Sequence, residues 1–289
     1  MKWFLRFFLL APWIACVASS GTAGDKDEVK PINLEKLNTA EDDLDPFPVN
    51  DTNLLYASKD GDRFEILWSK RGTGIAAYPP GKVFRPFLSS KDYSCRSPFV
   101  WKGSTLYFAQ DKVPDKKFES LRNFDLYQTT NERAPLPLLG VGEAEDEMFP
   151  WVAAGGREFY FSRKTKEGWK LFVAMGPGAG ASPGPIGKAQ PVGFAEDFHH
   201  ASLTPNGLGM VLEGMLDDGR IGIFRSKRAA IGGKWSAPEP IKALNVSRGR
   251  LGDMSPTLTP DGTRLFFVSD REGGKGRLDI WMIPVKDLK

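Results

Sequence analysis

The sequence predicts an all-β fold, a five-bladed β-propeller with four-stranded blades, and three observations carry that prediction. A repeat of about 52 residues runs five times through the chain, anchored on Pro46, Pro98, Pro150, Ala201 and Pro256, which stand 52, 52, 51 and 55 residues apart. Each copy holds the same succession of short apolar segments parted by turn-forming residues. No stretch combines a helical period with capping residues. A fixed period of this length with several short strands per unit reads as one blade per repeat. It says nothing of function, because propellers host binding, scaffolding and catalysis alike.

Taken in order, residues 1–24 stand apart. Lys2 and Arg6 precede an apolar run over residues 7–17, and small residues then lead to Asp25. This is the pattern of a secretory signal peptide, too short for a membrane span. Cleavage after Ser19 or near Ala23–Gly24 leaves an exported chain, periplasmic or secreted. The alternative is a lipid anchor at Cys16, since Ile14-Ala15-Cys16 resembles a lipobox with Trp13 in place of its usual Leu.

Residues 25–289 are expected to form a single propeller, with blades near 41–90, 91–140, 141–194 and 195–244, and a fifth made of 245–289 plus 30–36. The last copy is the clearest. A first strand over 255–259 ends in the tight turn Pro260-Asp261-Gly262, where Gly supplies a positive φ. Residues 265–269 form an apolar second strand buried on both faces, and a polar hairpin leads to a third strand over 278–283. The equivalent second strands are 54–58, 106–110, 159–163 and 210–214, and the third strands are 64–69, 124–129, 169–174 and 221–226. The fifth copy lacks an outer strand. Residues 30–34 match the segment 239–243 that ends an earlier blade, so the N-terminal strand is expected to complete the last blade and leave no long free sheet edge. The Gly/Pro-rich stretch 176–187 reads as a surface loop between the third and fourth strands of blade three.

Charge and cysteine usage exclude several functions. The signal takes two of the 39 basic residues and none of the 36 acidic ones, which leaves a net charge of +1. That provides no basic field for nucleic acid. No apolar run after the signal is long enough for a membrane span. With Cys16 removed or lipidated, Cys95 has no partner for an internal disulfide, so an exported chain of this size relies on its core. A monomer is expected.

The repeat resembles the WD40-like, TolB-type β-propeller family of exported bacterial proteins. The matching residues are Ser255-Pro256, the turn at Pro260-Asp261-Gly262, Phe267 with Ser269-Asp270-Arg271, and Asp279-Ile280-Trp281. The connector Gly233-x-Trp235-Ser236-x-Pro238 with Leu244-Asn245 also fits, as does Thr204-Pro205-Asn206-Gly207 in blade four. Blades one to three keep the proline and second strand but have largely lost the Asp-Gly turn. The resemblance implies a propeller that binds a protein or an envelope ligand, and it carries over no catalytic residue.

Candidate site residues come from the acidic run before each first strand, which holds Asp42, Asp43 and Asp45, then Asp92, Asp146 with Glu147, Asp197, and Asp253. First strands line a propeller axis, so these residues are expected to gather at one mouth of the channel. The predicted binding set is Asp43, Asp92, Asp146, Glu147, Asp197, His200 and Asp253. The function read from this set is a non-catalytic binding or scaffold module of the bacterial envelope, taking a protein or an envelope glycan. No cofactor and no metal is expected, with a bound cation such as calcium as the alternative. The alternative function is glycoside hydrolysis by channel carboxylates, with Asp43 and Glu147 as the catalytic pair. The competing structural reading is that these acids satisfy backbone N–H groups of neighbouring blades. His199 and His200 are the only histidines, and strand alternation lets one of them face the channel. Gly180-x-Ser182-x-Gly184 matches a nucleophile-elbow pattern but lies in a Gly/Pro loop rather than between strand and helix. The tryptophans, Trp101 and Trp151 among them, suit either a binding face or packing between blades.

Overall fold

A computed structural model describes residues 30–84, 93–112, 123–130, 133–138, 141, 145–178, 186–195, 197–245 and 249–288. The signal segment with Cys16, Asp92 and the elbow-like Gly180-x-Ser182 lie outside the described residues. Five antiparallel four-stranded sheets form a ring. Blade one is β2 (Asp43–Pro48), β3 (Asn53–Asp60), β4 (Arg63–Lys70) and β5 (Lys82–Val83). Blade two is β6 (Tyr93–Trp101), β7 (Thr105–Lys112), β8 (Phe124–Thr130) and β9 (Leu136–Pro137). Blade three is β10 (Glu147–Ala153), β11 (Glu158–Thr165), β12 (Gly168–Met175) and β13 (Gln190–Pro191). Blade four is β14 (His199–Leu203), β15 (Gly209–Met215), β16 (Ile221–Lys227) and β17 (Glu239–Pro240). Blade five is β18 (Asp253–Leu258), β19 (Arg264–Ser269), β20 (Asp279–Pro284) and, completing the sheet, β1 (Ile32–Asn33).

The second strands are the buried spine of each blade. Phe159, Tyr160 and Phe161 in β11 and Leu265 through Val268 in β19 are buried without alternation, because packed neighbours cover both faces of the sheet. First strands start earlier than the sequence suggested. Asp43, Glu147 and Asp253 are the first residues of β2, β10 and β18 rather than loop residues.

Every first strand carries a β-bulge, between Leu44 and Phe47, Arg96 and Phe99, Met148 and Trp151, His199 and Ser202, and Met254 and Thr257. At its centre one residue takes the left-handed conformation: Asp45, Ser97, Phe149, His200 and Ser255, with φ of 52°, 53°, 58°, 47° and 51°. For a residue other than glycine this costs about 1–2 kcal/mol. The proline that follows in four blades has no N–H, which suits a position where the ladder is interrupted.

The outer strands are only two residues long, so most of each third-strand edge must be satisfied otherwise. One device occurs twice. After β1 the chain turns, with the amides of Leu37 and Asn38 both donating to the Leu34 carbonyl. The Asn38 carboxamide then accepts from the Ile280 N–H at 2.9 Å and donates to the Ile280 carbonyl at 3.0 Å. After β17, Leu244 and Asn245 donate to Ile241 in the same way. Asn245 then accepts from the Ile223 N–H at 2.8 Å and donates to its carbonyl at 2.9 Å. The asparagine side chain substitutes for one further residue of an outer strand.

This pairing predicts that Asn38→Leu lowers stability by roughly 1–3 kcal/mol, read from the urea midpoint, since the buried Ile280 N–H loses its acceptor and the Ile280 carbonyl keeps only the Leu34 N–H. Asn38→Asp keeps the acceptor only and should fall between. An Asn38→Leu variant that unfolds at the wild-type urea concentration would refute the clamp.

Candidate functional site

The five bulges set the chemistry of the axis. An axial cavity of about 20 Å³ is lined by Asp45, Ser97, Phe149 and His200, by residues that follow them in their strands, and by Thr257 of blade five. That is room for about one water. Asp45 is almost wholly buried and takes two bonds from the Arg96 guanidinium, at 2.9 and 3.0 Å. It also accepts from the Ser97 N–H at 3.0 Å and from Ser255 Oγ at 3.3 Å. The His200 ring stacks on Phe149 with centroids 3.8 Å apart, and its backbone N–H donates to Ser162 Oγ. Glu213, on β15, accepts from the Ser255 N–H at 2.6 Å, and its other oxygen meets His199 Nε2 at 2.6 Å. Ser255 thus bridges the two axial carboxylates, one through its hydroxyl and the other through its backbone.

Charge states follow from these partners. Burial works to raise the Asp45 pKa, but Arg96 outweighs it and holds the carboxyl below its usual range. Burial likewise opposes ionisation of Glu213, yet His199 and the Ser255 N–H bring it down to about 2. Burial pushes His200 down to about 4 despite the nearby Glu213 and Asp45, so its imidazole is neutral at pH 7. His199 is raised: burial acts against its charged form, and Glu213 and Asp197 more than compensate.

The acids singled out in the sequence fall into two groups. Asp43, Glu147 and Asp253 are fully buried and serve as pins. Asp43 accepts from the N–H and hydroxyl of Thr39 at 2.6 and 2.9 Å. Glu147 pairs with Arg163 Nε at 2.9 Å, and the same guanidinium donates to the Val141 carbonyl. Asp253 pairs with Arg271 at 2.8 Å, and that guanidinium reaches the Leu244 carbonyl at 3.3 Å. In blades three and five, an arginine near the end of the second strand therefore ties the first strand to the incoming connector. Burial raises the pKa of Asp43 and Asp253, but neither exposes surface. The second group stays partly exposed. Asp146 accepts from the Phe124 N–H at 2.8 Å, and Asp197 lies 3.8 Å from His199 Nδ1. Of the two histidines, His200 lines the axial cavity, while His199 stacks on the Trp169 ring and meets Glu213. Among the described residues no group of three or more His, Cys, Asp or Glu side chains is arranged to hold a metal ion. Cys95 is buried, and burial lifts its thiol to about 12.

Sequence reasoning passed over the other mouth. Where the first strands end, a funnel of about 460 Å³ opens on the axis and takes residues from all five blades. Its floor is the aromatic trio Phe47, Phe99 and Trp151, with ring centroids 4.9 to 6.1 Å apart, which separates it from the axial cavity. Trp101 forms part of the wall, with the Lys102 ammonium 5.6 Å from its ring centroid. Arg96 and Glu213 were also missed. A signal for Glu213 existed: it stands where the other second strands carry Ala57, Ala109, Ser162 and Val268. A carboxylate in such a run must be paired.

The neutral axial His200 gives stability a pH dependence with a definite sign. Its pKa is near 4 in the folded chain and about 6.5 when unfolded, so below pH 6.5 the unfolded state binds the extra proton and stability falls as pH drops towards 4. His200→Phe keeps the stacking on Phe149 and removes the titration. Urea unfolding at pH 7, 5.5 and 4.5 should show the wild type losing stability relative to this variant, by an amount on the order of 3 kcal/mol at the acid end. Parallel pH profiles would refute the assignment.

No protein-family model matches the sequence, and neither does any curated protein. Solved structures do match. A GH62 hydrolase in complex with xylotriose aligns with a TM-score of 0.61 at 10% identity, over 88% of this chain and 97% of the other. An α-L-arabinofuranosidase from Podospora anserina in complex with cellotriose aligns at 0.54 and 12% identity, over 91% and 93%. TolB from Acinetobacter baumannii aligns at 0.52 and 15% identity, over 86% of this chain and 55% of the TolB chain. The hydrolases and TolB are thus similar to this chain at comparable levels, and identities this low establish the β-propeller fold alone.

Proposed function

We propose that the chain is an exported, non-catalytic binding propeller of the bacterial envelope that engages its ligand at the axial funnel. One observation carries the reading: the buried carboxylates around the axis serve as structural pins. Asp45 is held by Arg96, Ser97 and Ser255, Glu213 by His199 and Ser255, Glu147 by Arg163, Asp253 by Arg271 and Asp43 by Thr39. Glycoside hydrolysis needs a carboxyl with a proton to give and a second ionised one, both facing the sugar across an open site. Asp45 and Glu213 are held ionised, and Asp43 and Glu147 expose no surface. The funnel, by contrast, is a concavity of the size that ligands occupy, walled mainly by apolar and aromatic side chains. Export is supported by the charge and apolar pattern of residues 1–24.

The test is turnover. The full chain, incubated at high concentration with xylotriose, cellotriose and arabino-oligosaccharides, is expected to release no new reducing ends. Release by the wild type that Glu147→Gln or Asp45→Asn abolishes, with circular dichroism unchanged, would replace this reading with the hydrolase alternative.

A further inference from the structure

The lining of the funnel offers little to a polar ligand. The oxygen atoms of its polar side chains are committed to their own turns. Asn50 Oδ1 accepts from the N–H groups of Thr52 and Asn53 at 3.0 and 2.9 Å. Thr204 Oγ1 donates to Asn206 at 2.7 Å and accepts from the Gly209 N–H at 2.9 Å. Thr259 Oγ1 donates to Asp261 and accepts from the Arg264 N–H at 3.1 Å. Pro48, Pro205 and Pro260 also line the funnel, and a proline has no backbone N–H to give. A sugar would leave many hydroxyls without partners there, which is costly in a desolvated site.

Charge is answered within the wall as well. Among the described residues no carboxylate lines the funnel. Its one ionisable side chain there, Lys102, is already engaged, with the ammonium 5.6 Å from the Trp101 ring centroid. A charged ligand would give up its hydration and meet no free counter-charge. What the funnel does present is rings. Phe47, Phe99 and Trp151 are inclined to one another by 54° to 74°. Three rings so inclined share no plane. A fourth, flat ring placed on them meets faces and edges together, the arrangements in which aromatic rings attract. The volume, about 460 Å³, is that of a small-molecule pocket.

We infer that the funnel binds an uncharged, planar aromatic small molecule, laid against the Phe47–Phe99–Trp151 floor and held by ring packing rather than by an ion pair. This rests on the binding reading above and names the ligand class of that site. The probes are 2-naphthamide, its charged counterparts 2-naphthoate and 2-naphthylmethylammonium, the saturated decahydro-2-naphthamide, and xylotriose. Each is titrated by calorimetry into the full chain at several temperatures, with reducing ends assayed in the xylotriose samples. The amide is expected to bind saturably with a negative heat-capacity change, the mark of apolar burial. It should bind roughly tenfold or more tighter than either charged counterpart, and several-fold tighter than the saturated amide. Trp151→Leu should weaken it roughly tenfold. Val49→Asp places a carboxylate at a half-buried lining position just beyond β2 and leaves the floor intact. It should shift preference from the amide towards the ammonium by a few fold. Equal or tighter binding of a charged counterpart overturns the uncharged ligand, and equal binding of the saturated amide overturns the aromatic one. Amide binding indifferent to both substitutions overturns the funnel as its site. Absence of binding by every naphthalene overturns the ligand class, and xylotriose binding lost in Trp151→Leu would then leave the funnel standing with a different ligand. Cleavage of xylotriose would instead overturn the non-catalytic reading itself, so the two failures are distinguishable.

Discussion

The left-handed residue at the centre of each first-strand bulge is the constraint on which the rest of the molecule depends. Without it a strand of alternating side chains would send successive residues to opposite faces of the blade. The bulge inserts an extra residue and re-aims it. Asp45, Ser97, Phe149, His200 and Ser255 all occupy this position, and contacts among them hold the centre of the ring. Five left-handed residues at about 1–2 kcal/mol each are a real cost. It is offset at the same positions by the Asp45–Arg96 pair, by the stacking of His200 on Phe149, and by the Glu213 bond to the Ser255 N–H. Phe149 has no side-chain means of stabilising a positive φ, so its conformation is held by packing against the histidines and Trp169.

The same logic explains why so many acids surround the axis without forming an acid–base pair. A propeller blade has short outer strands and irregular connectors, and both leave backbone N–H groups needing acceptors in buried places. Carboxylates and asparagines supply them. Asp43, Asp146 and Glu213 each accept from a backbone N–H, and Glu147 and Asp253 recruit arginines that satisfy connector carbonyls. A recurrent acid in a repeat protein is explained by a recurrent backbone need before any ligand is invoked.

The blades were legible in the sequence because the proline spacing and the second strands report buried, repeated geometry directly. The completion of blade five by β1 was legible as well, because the segment around Ile32 resembles the one around Ile241 and both end in a Leu-Asn pair. The site was less legible. The anchoring proline marks the bulge, yet the residue before it differs in every blade but two, so no side-chain pattern announces that this position faces the axis. Arg96 acquires its meaning only from Asp45, which lies 51 positions earlier and in another blade. Asp43 and Glu147 read as mouth residues because strand starts were placed two residues late, and that shift separates a solvated loop acid from a buried pin.

The two mouths differ because the chain treats the two ends of a first strand differently. Its start is fed by a long connector from the previous blade, which must be fastened, and Arg163, Arg271 and Asn245 fasten it with buried charge and amide groups. Its end passes into the second strand through a tight turn such as Lys102-Gly103 or Asp261-Gly262; where such a turn is fastened, as by Asp261 to Thr259 and Thr263, the bonds stay within the turn. Polar groups are therefore engaged at the first mouth, while the second, among the described residues, keeps an open surface of mainly apolar and aromatic side chains. A binding site at the second mouth can vary through its turn residues without disturbing a single axial pin. That independence lets one ring geometry carry a ligand specificity that its repeat does not encode.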